Sequence, residues 1–236
     1  MSKKLWLAVL VSVCGVVTAS LATAATVTVG TDQGLVRPGM DNQGYWRSYI
    51  PNGNLTNDNY IASSFYDTRP YFTFDLGGLV GQKISGLTLN LRRYIQEENP
   101  IVTFWDVSTS ATDLAQRGVA DWSIFNDLGS GNSYGSSGPI SSGASTDVLS
   151  FVLNDQAVAD ANKAIGGYFS IGLSVTAGTV FAASSNEPGN RGPGYTQDLV
   201  ISTNPITVVP LPATLPLLAG GLGAFGLAGW RRKRAA

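Results

Sequence analysis

Carboxylates and amides are the only side chains in this chain with catalytic chemistry to offer. Its 236 residues include no histidine, and the single cysteine is Cys14, in a segment expected to be removed. For the mature protein this excludes a histidine-based triad, a cysteine nucleophile, a His/Cys zinc site and an intrachain disulfide. Asp106 and Asp121 could serve as a carboxylate pair for glycoside hydrolysis, which needs two such groups at a set separation across the sugar. That distance is not written in a sequence, so no catalytic residue is assigned. Asp127 with Gly129, Gly131, Asn132 and Ser133 has the composition of a calcium loop. It lacks the Asp-x-(Asp/Asn)-x-(Asp/Asn)-Gly spacing and the closing glutamate. Calcium is the one cofactor the residues admit, and the metal site stays unassigned.

Aromatic residues suggest binding rather than turnover. Tyr45, Trp46, Tyr49, Tyr60, Phe65, Tyr66 and Tyr71 fall among asparagine, aspartate, serine and glycine. Amphipathic rings among polar groups suit flat binding surfaces, including those for sugars. Trp46, Tyr49 and Tyr66 are the candidate ligand surface. Asn54-Leu55-Thr56 fits an N-glycosylation sequon.

The elements that must position these groups read as all-β. Residues 25–29, 70–75, 84–91, 101–107, 147–153, 168–175, 178–182 and 197–202 are short runs rich in β-branched and aromatic residues. Glycine, asparagine, proline and serine separate them. The spacing predicts an antiparallel β-sandwich, jelly-roll-like, spanning residues 25–205. One short helix is predicted over 154–165, opened by the cap Asn154 and stopped at Gly166-Gly167. A shorter one could span 110–117. Residues 127–145 read as a long turn-rich loop inside the domain, of the kind that carries binding in sandwiches.

Both ends of the chain carry transport signals. Lys3 and Lys4 precede an apolar run of 13 residues, Leu5 to Val17, and Ala22-Thr23-Ala24 supplies a small-x-small cleavage site. Residues 1–24 are therefore expected to be a signal peptide, handled by the Sec translocon and signal peptidase, with the mature chain beginning at Ala25. Val13 before Cys14 argues against a lipoprotein. At the other end, Leu211 to Trp230 is 20 residues without a charged side chain. A helix of that length reaches roughly 30 Å, enough for a bilayer core, so a C-terminal transmembrane helix is predicted. Arg231, Arg232, Lys233 and Arg234 follow as a basic stop that favours the cytoplasmic side.

The tail carries a resemblance. Val209-Pro210-Leu211-Pro212-Ala213, a glycine-rich apolar stretch and a terminal Arg-Arg-Lys-Arg resemble the PEP-CTERM protein-sorting signal of Gram-negative bacteria, here over residues 206–236. The commonest form places glutamate between the prolines, where this chain has Leu211. The resemblance implies export, temporary retention in the inner membrane, processing by an exosortase, and an association with extracellular polysaccharide. The body is also similar to a β-sandwich module of such exported proteins, through Phe74-Asp75-Leu76, Leu87-Thr88-Leu89, the 102–108 run, Tyr134-Gly135 and Gly166-Gly167-Tyr168-Phe169.

Charge narrows the partners. Six of the 15 basic residues sit at the two ends, which leaves nine against 16 acidic residues in 25–209, a net charge of −7. Such a body should repel nucleic acid, so no nucleic-acid partner is expected. Three classes of passenger stay open: a non-catalytic surface or matrix component, a carbohydrate-binding module, and an Asp/Glu-dependent glycoside hydrolase. For the tail, the alternative to processing is an uncleaved single-pass anchor.

Overall fold

The computed structural model describes residues 24–31, 42–48, 60–116, 118–182 and 197–206. It is an all-β architecture of two antiparallel sheets. The smaller sheet has the order β1 (Ala25–Gly30), β12 (Asp198–Pro205), β5 (Gln82–Arg92), β9 (Val148–Val152). The larger runs β6 (Ile95–Glu97), β11 (Thr179–Ala182), β3 (Ala62–Ser63), β4 (Thr68–Asp75), β10 (Tyr168–Val175), β7 (Val102–Asp106), β8 (Ser133–Ser136), with β2 (Gln43–Arg47) also paired to β4. The all-β antiparallel reading holds, with the strands of the described residues divided into one sheet of four and one of eight.

Alternation builds the core between the sheets. Leu87, Leu89 and Leu91 of β5 point inward with Leu199 and Ile201 of β12, and meet Phe72 and Phe74 of β4 and Phe169, Ile171 and Leu173 of β10. Ile84 is buried as well, although a period of two from Leu87 would turn Ser85 inward instead. The register explains this. Ser202 pairs with Gly86 but Thr203 pairs with Ile84, so Ser85 is an extra residue in a bulge that resets the parity.

The larger sheet is covered on both faces. Tyr71, on the opposite side of β4 from Phe72, joins Trp46, Leu114, Ile124, Phe125 and Leu128 in a second apolar cluster. This cluster lies under α1 (Ala111–Leu114) and α2 (Trp122–Asp127). Both helices start at side-chain caps: Ser110 accepts from the Asp113 amide, and Asp121 from the Ser123 amide. Gly172 of β10 lets the larger sheet touch this layer closely, since a Cβ there would lie 2.7 Å from the Leu128 carbonyl oxygen.

The third helix, α3 (Asp155–Lys163), is the one expected from sequence. Its cap Asn154 accepts from the Ala157 amide at 3.1 Å. Ala157 and Ala161 are small enough to bury completely, and Asn162 ties α3 to β5 by bonding both the amide and the carbonyl of Ile84 at 2.9 Å. Gly166, at φ +89°, ends the helical run in a conformation that favours glycine. Of the three helices among the described residues, α3 and α1 fall within the stretches expected at 154–165 and 110–117, and α2 is the addition. Instead of one continuous loop, residues 127–145 hold β8, with the following stretch fastened by buried Arg93. Its Nη1 donates to the Ser141 carbonyl at 2.5 Å, and its Nε faces Asp147 at 3.4 Å. No helix of the described residues is long and apolar enough to cross a membrane; the segment predicted to do so, 211–230, lies outside them.

Candidate functional site

Where β7, β8 and β10 meet α3 they leave a cleft of about 360 Å³. Its walls include Asp106, Tyr134, Gln156, Asp160, Lys163 and Tyr168. Each side chain is placed by a local feature of the fold. Gln156, Asp160 and Lys163 recur at helical spacing along α3, so they share one face of that helix. Asn154 caps α3 and also reaches β8, its Nδ2 donating to the Ser133 carbonyl at 2.8 Å. The helix is thereby fixed against the strand that carries Tyr134.

Asp160 is the centre of this wall. It accepts from Lys163 Nζ at 2.7 Å, from Gln156 Nε2 at 2.8 Å and from the Tyr134 hydroxyl at 3.3 Å. Partial burial alone would raise its pKa, but the bonds from Lys163, Gln156 and Tyr134 together with the lysine charge hold it below the ordinary carboxylate value. Burial, followed by the charges of Asp160 and Asp106, pushes the Tyr134 phenol upward, so it remains a neutral donor. The Tyr134 ring stacks on Phe169 at 5.8 Å between centroids. Tyr168, the residue before Phe169 on β10, also lines the cleft and is 42% exposed.

Opposite α3, Asp106 ends β7 and clasps the turn before β8. It accepts from the backbone amide of Asn132 at 2.7 Å and from Asn132 Nδ2 at 2.8 Å. Gly131 makes this possible: its φ is +102°, and a Cβ would lie 2.2 Å from the Asp106 carboxylate. Asp106 thus both orders the loop and presents a carboxylate to the cleft.

The other residues singled out from sequence fare differently. Trp46 is fully buried, with its indole nitrogen donating to the Leu114 carbonyl at 3.2 Å, so it cannot form part of a ligand surface. Alternation along β2 turns it toward α1 and α2. Tyr60 and Tyr71 are core residues too. Tyr66 is 57% exposed beside exposed Phe65 in the turn between β3 and β4, and Tyr49 lies outside the described residues. Asp121 caps α2 rather than lining the cleft with Asp106. Asp127 spends its carboxylate on the amides and hydroxyls of Ser108 and Thr109, at 2.6 to 3.0 Å. Among the described residues no group of three acidic, histidine or cysteine side chains is placed to hold a metal.

Sequence reading missed Tyr134, Gln156, Asp160, Lys163 and Tyr168 as a group. The polar stripe of α3 was the available signal, and it reads as an ordinary solvated helix face.

The expected signal-peptide cleavage site falls just before β1, and the sorting motif follows β12. Ala24 is exposed immediately before β1; Ala22, Val209 to Ala213 and Arg231 to Arg234 lie outside the described residues. Residues 208–233 match the family described as the PEP-CTERM protein-sorting motif. No curated protein matches the chain. The tail is thus a PEP-CTERM sorting signal, which marks an exported protein of Gram-negative type, transiently anchored in the membrane and targeted to an exosortase.

Proposed function

We propose that residues 25–205 are a non-catalytic passenger, delivered by the sorting tail to the cell surface or the extracellular matrix, where it associates with polysaccharide. The observation that carries this reading is the matched motif at 208–233, which begins just after β12 ends at Pro205. Val209 lies six positions after Thr203, and extended chain covers at most roughly 3.5 Å per residue. While the tail is anchored, the body is therefore held within roughly 20 Å of the motif. Cleavage near 209–213 would release it without cutting any strand of either sheet.

The carboxylates of the cleft favour binding over hydrolysis. A glycosidase needs one carboxyl that is protonated at working pH, obtained by raising its pKa. Asp160 is shifted the other way, and Asp106 is committed to two bonds from Asn132.

Deleting the exosortase in the native host tests the delivery step. The expected result is accumulation of the full tail-bearing chain in the inner membrane and its loss from the medium. Unchanged release in that strain would refute an exosortase-dependent route.

A further inference from the structure

We propose that the cleft between α3 and the β7–β8–β10 edge binds a neutral or amino-sugar segment of a glycan chain. This deepens the passenger reading above by naming a ligand class and a site, and it rests on that reading for its biological setting. The site differs from the aromatic surface expected from sequence, because Trp46 is buried.

Shape and chemistry both point to a sugar. A volume of about 360 Å³ falls within the range of small-molecule sites. A pyranose presents an apolar C–H face together with a rim of hydroxyls, so it calls for an aromatic ring beside planar polar groups. Tyr168, partly exposed, supplies an aromatic residue to the lining. Asp106, Asp160, Gln156 and Asn132 supply the polar groups around it. These groups are held in place before any ligand arrives: Asp160 by Lys163, Gln156 and Tyr134, and Asp106 by Asn132. Little ordering entropy is left for binding to oppose.

The balance of donors and acceptors selects the class. The amide hydrogens of Gln156 and Asn132 are directed to the two carboxylates, and the Lys163 ammonium already pairs with Asp160 at 2.7 Å. The cleft therefore offers mainly acceptors, with two carboxylates against one cation. Sugar hydroxyls and a protonated sugar amine satisfy such a site. A uronate would place a carboxylate against carboxylates, on a body whose net charge is −7 over residues 25–209, and would be repelled.

The experiment is titration calorimetry together with hydrogen–deuterium exchange on the full chain in detergent. The probes are three hexamers at millimolar concentration: β-1,4-linked glucose, β-1,4-linked glucosamine and galacturonic acid. The proposal expects the glucose or glucosamine hexamer, or both, to slow exchange in peptides covering 128–136 and 154–170, and galacturonate to leave them unchanged. Tyr168→Ala should weaken binding roughly tenfold, the worth of one aromatic contact, whereas Tyr168→Phe should retain it and so separate ring loss from misfolding. The proposal is overturned if neither the neutral nor the amino hexamer protects those peptides, if galacturonate protects them equally, or if Tyr168→Ala binds as the parent does. None of these readouts depends on whether the tail is cut, so a failure here is distinct from a failure of sorting.

Discussion

Ala25 and Thr203 are direct partners in neighbouring antiparallel strands. The first residue of the expected mature chain and a residue six positions before the sorting motif thus lie side by side. The Thr203 hydroxyl reinforces the pairing by donating to the Ala25 carbonyl at 3.3 Å. The start of β1, next to the expected signal-peptide cleavage site, and the end of β12, which leads to the sorting motif, therefore lie at the same end of the smaller sheet.

Paired residues in an antiparallel ladder have Cα atoms about 4.5 to 5.5 Å apart, within the range a disulfide can span. Ala25→Cys combined with Thr203→Cys should therefore crosslink on export, in a mature chain with no other cysteine to compete. Mobility on a non-reducing gel reads it out. A chain that stays fully reduced in an oxidising compartment would contradict the pairing.

Trp46→Ala should unfold the outer layer rather than weaken binding selectively. It empties a fully buried site and leaves the Leu114 carbonyl without its indole donor. The expected cost is about 3–5 kcal/mol, measurable by denaturant titration. If stability is unchanged, the burial of Trp46 is wrong.

Gly172→Ala forces a Cβ against the Leu128 backbone, 2.7 Å from its oxygen. A backbone neighbour cannot step aside as a flexible side chain can, so a loss of about 1–3 kcal/mol is expected. Arg69→Met probes the same layer from β4. It removes a guanidinium that lies 4.1 Å from the Phe125 ring centre and donates to the Phe125 carbonyl at 2.9 Å. Hydrogen exchange in residues 122–128 should rise.

Sequence made the long elements legible and the layer around them obscure. β5, β4 and β10 show through because their leucines and aromatics alternate, and α3 shows through its cap and terminal glycines. β8 is Ser-Tyr-Gly-Ser, with no β-branched residue. It is a strand only because β7 pairs with it and Asp106 fixes the preceding turn. For α2, six residues were too few for a period to emerge. The face Trp46 takes depends on what covers β2, which no local pattern records. The cleft draws on β7, β8, α3 and β10, whose proximity exists only after folding.

The network around Asp160 should respond to acid. Its pKa is lowered in the fold, so its contribution is present above the unfolded carboxylate value, about 3.9, and is lost as pH falls through the lower folded value. Acidification below about pH 4 should loosen the α3–β8 contact. Asp160→Asn should flatten that part of the stability–pH curve, and a curve identical to the parent would remove Asp160 from this role.

Sorting is tested most directly by the intact mass and C-terminal sequence of the protein recovered from the envelope and medium of its native host. A released species that begins at Ala25 and ends within Val209 to Ala213 is the predicted result. A species still carrying Arg231 to Ala236 and confined to the inner membrane would contradict exosortase processing and leave a single-pass anchored domain.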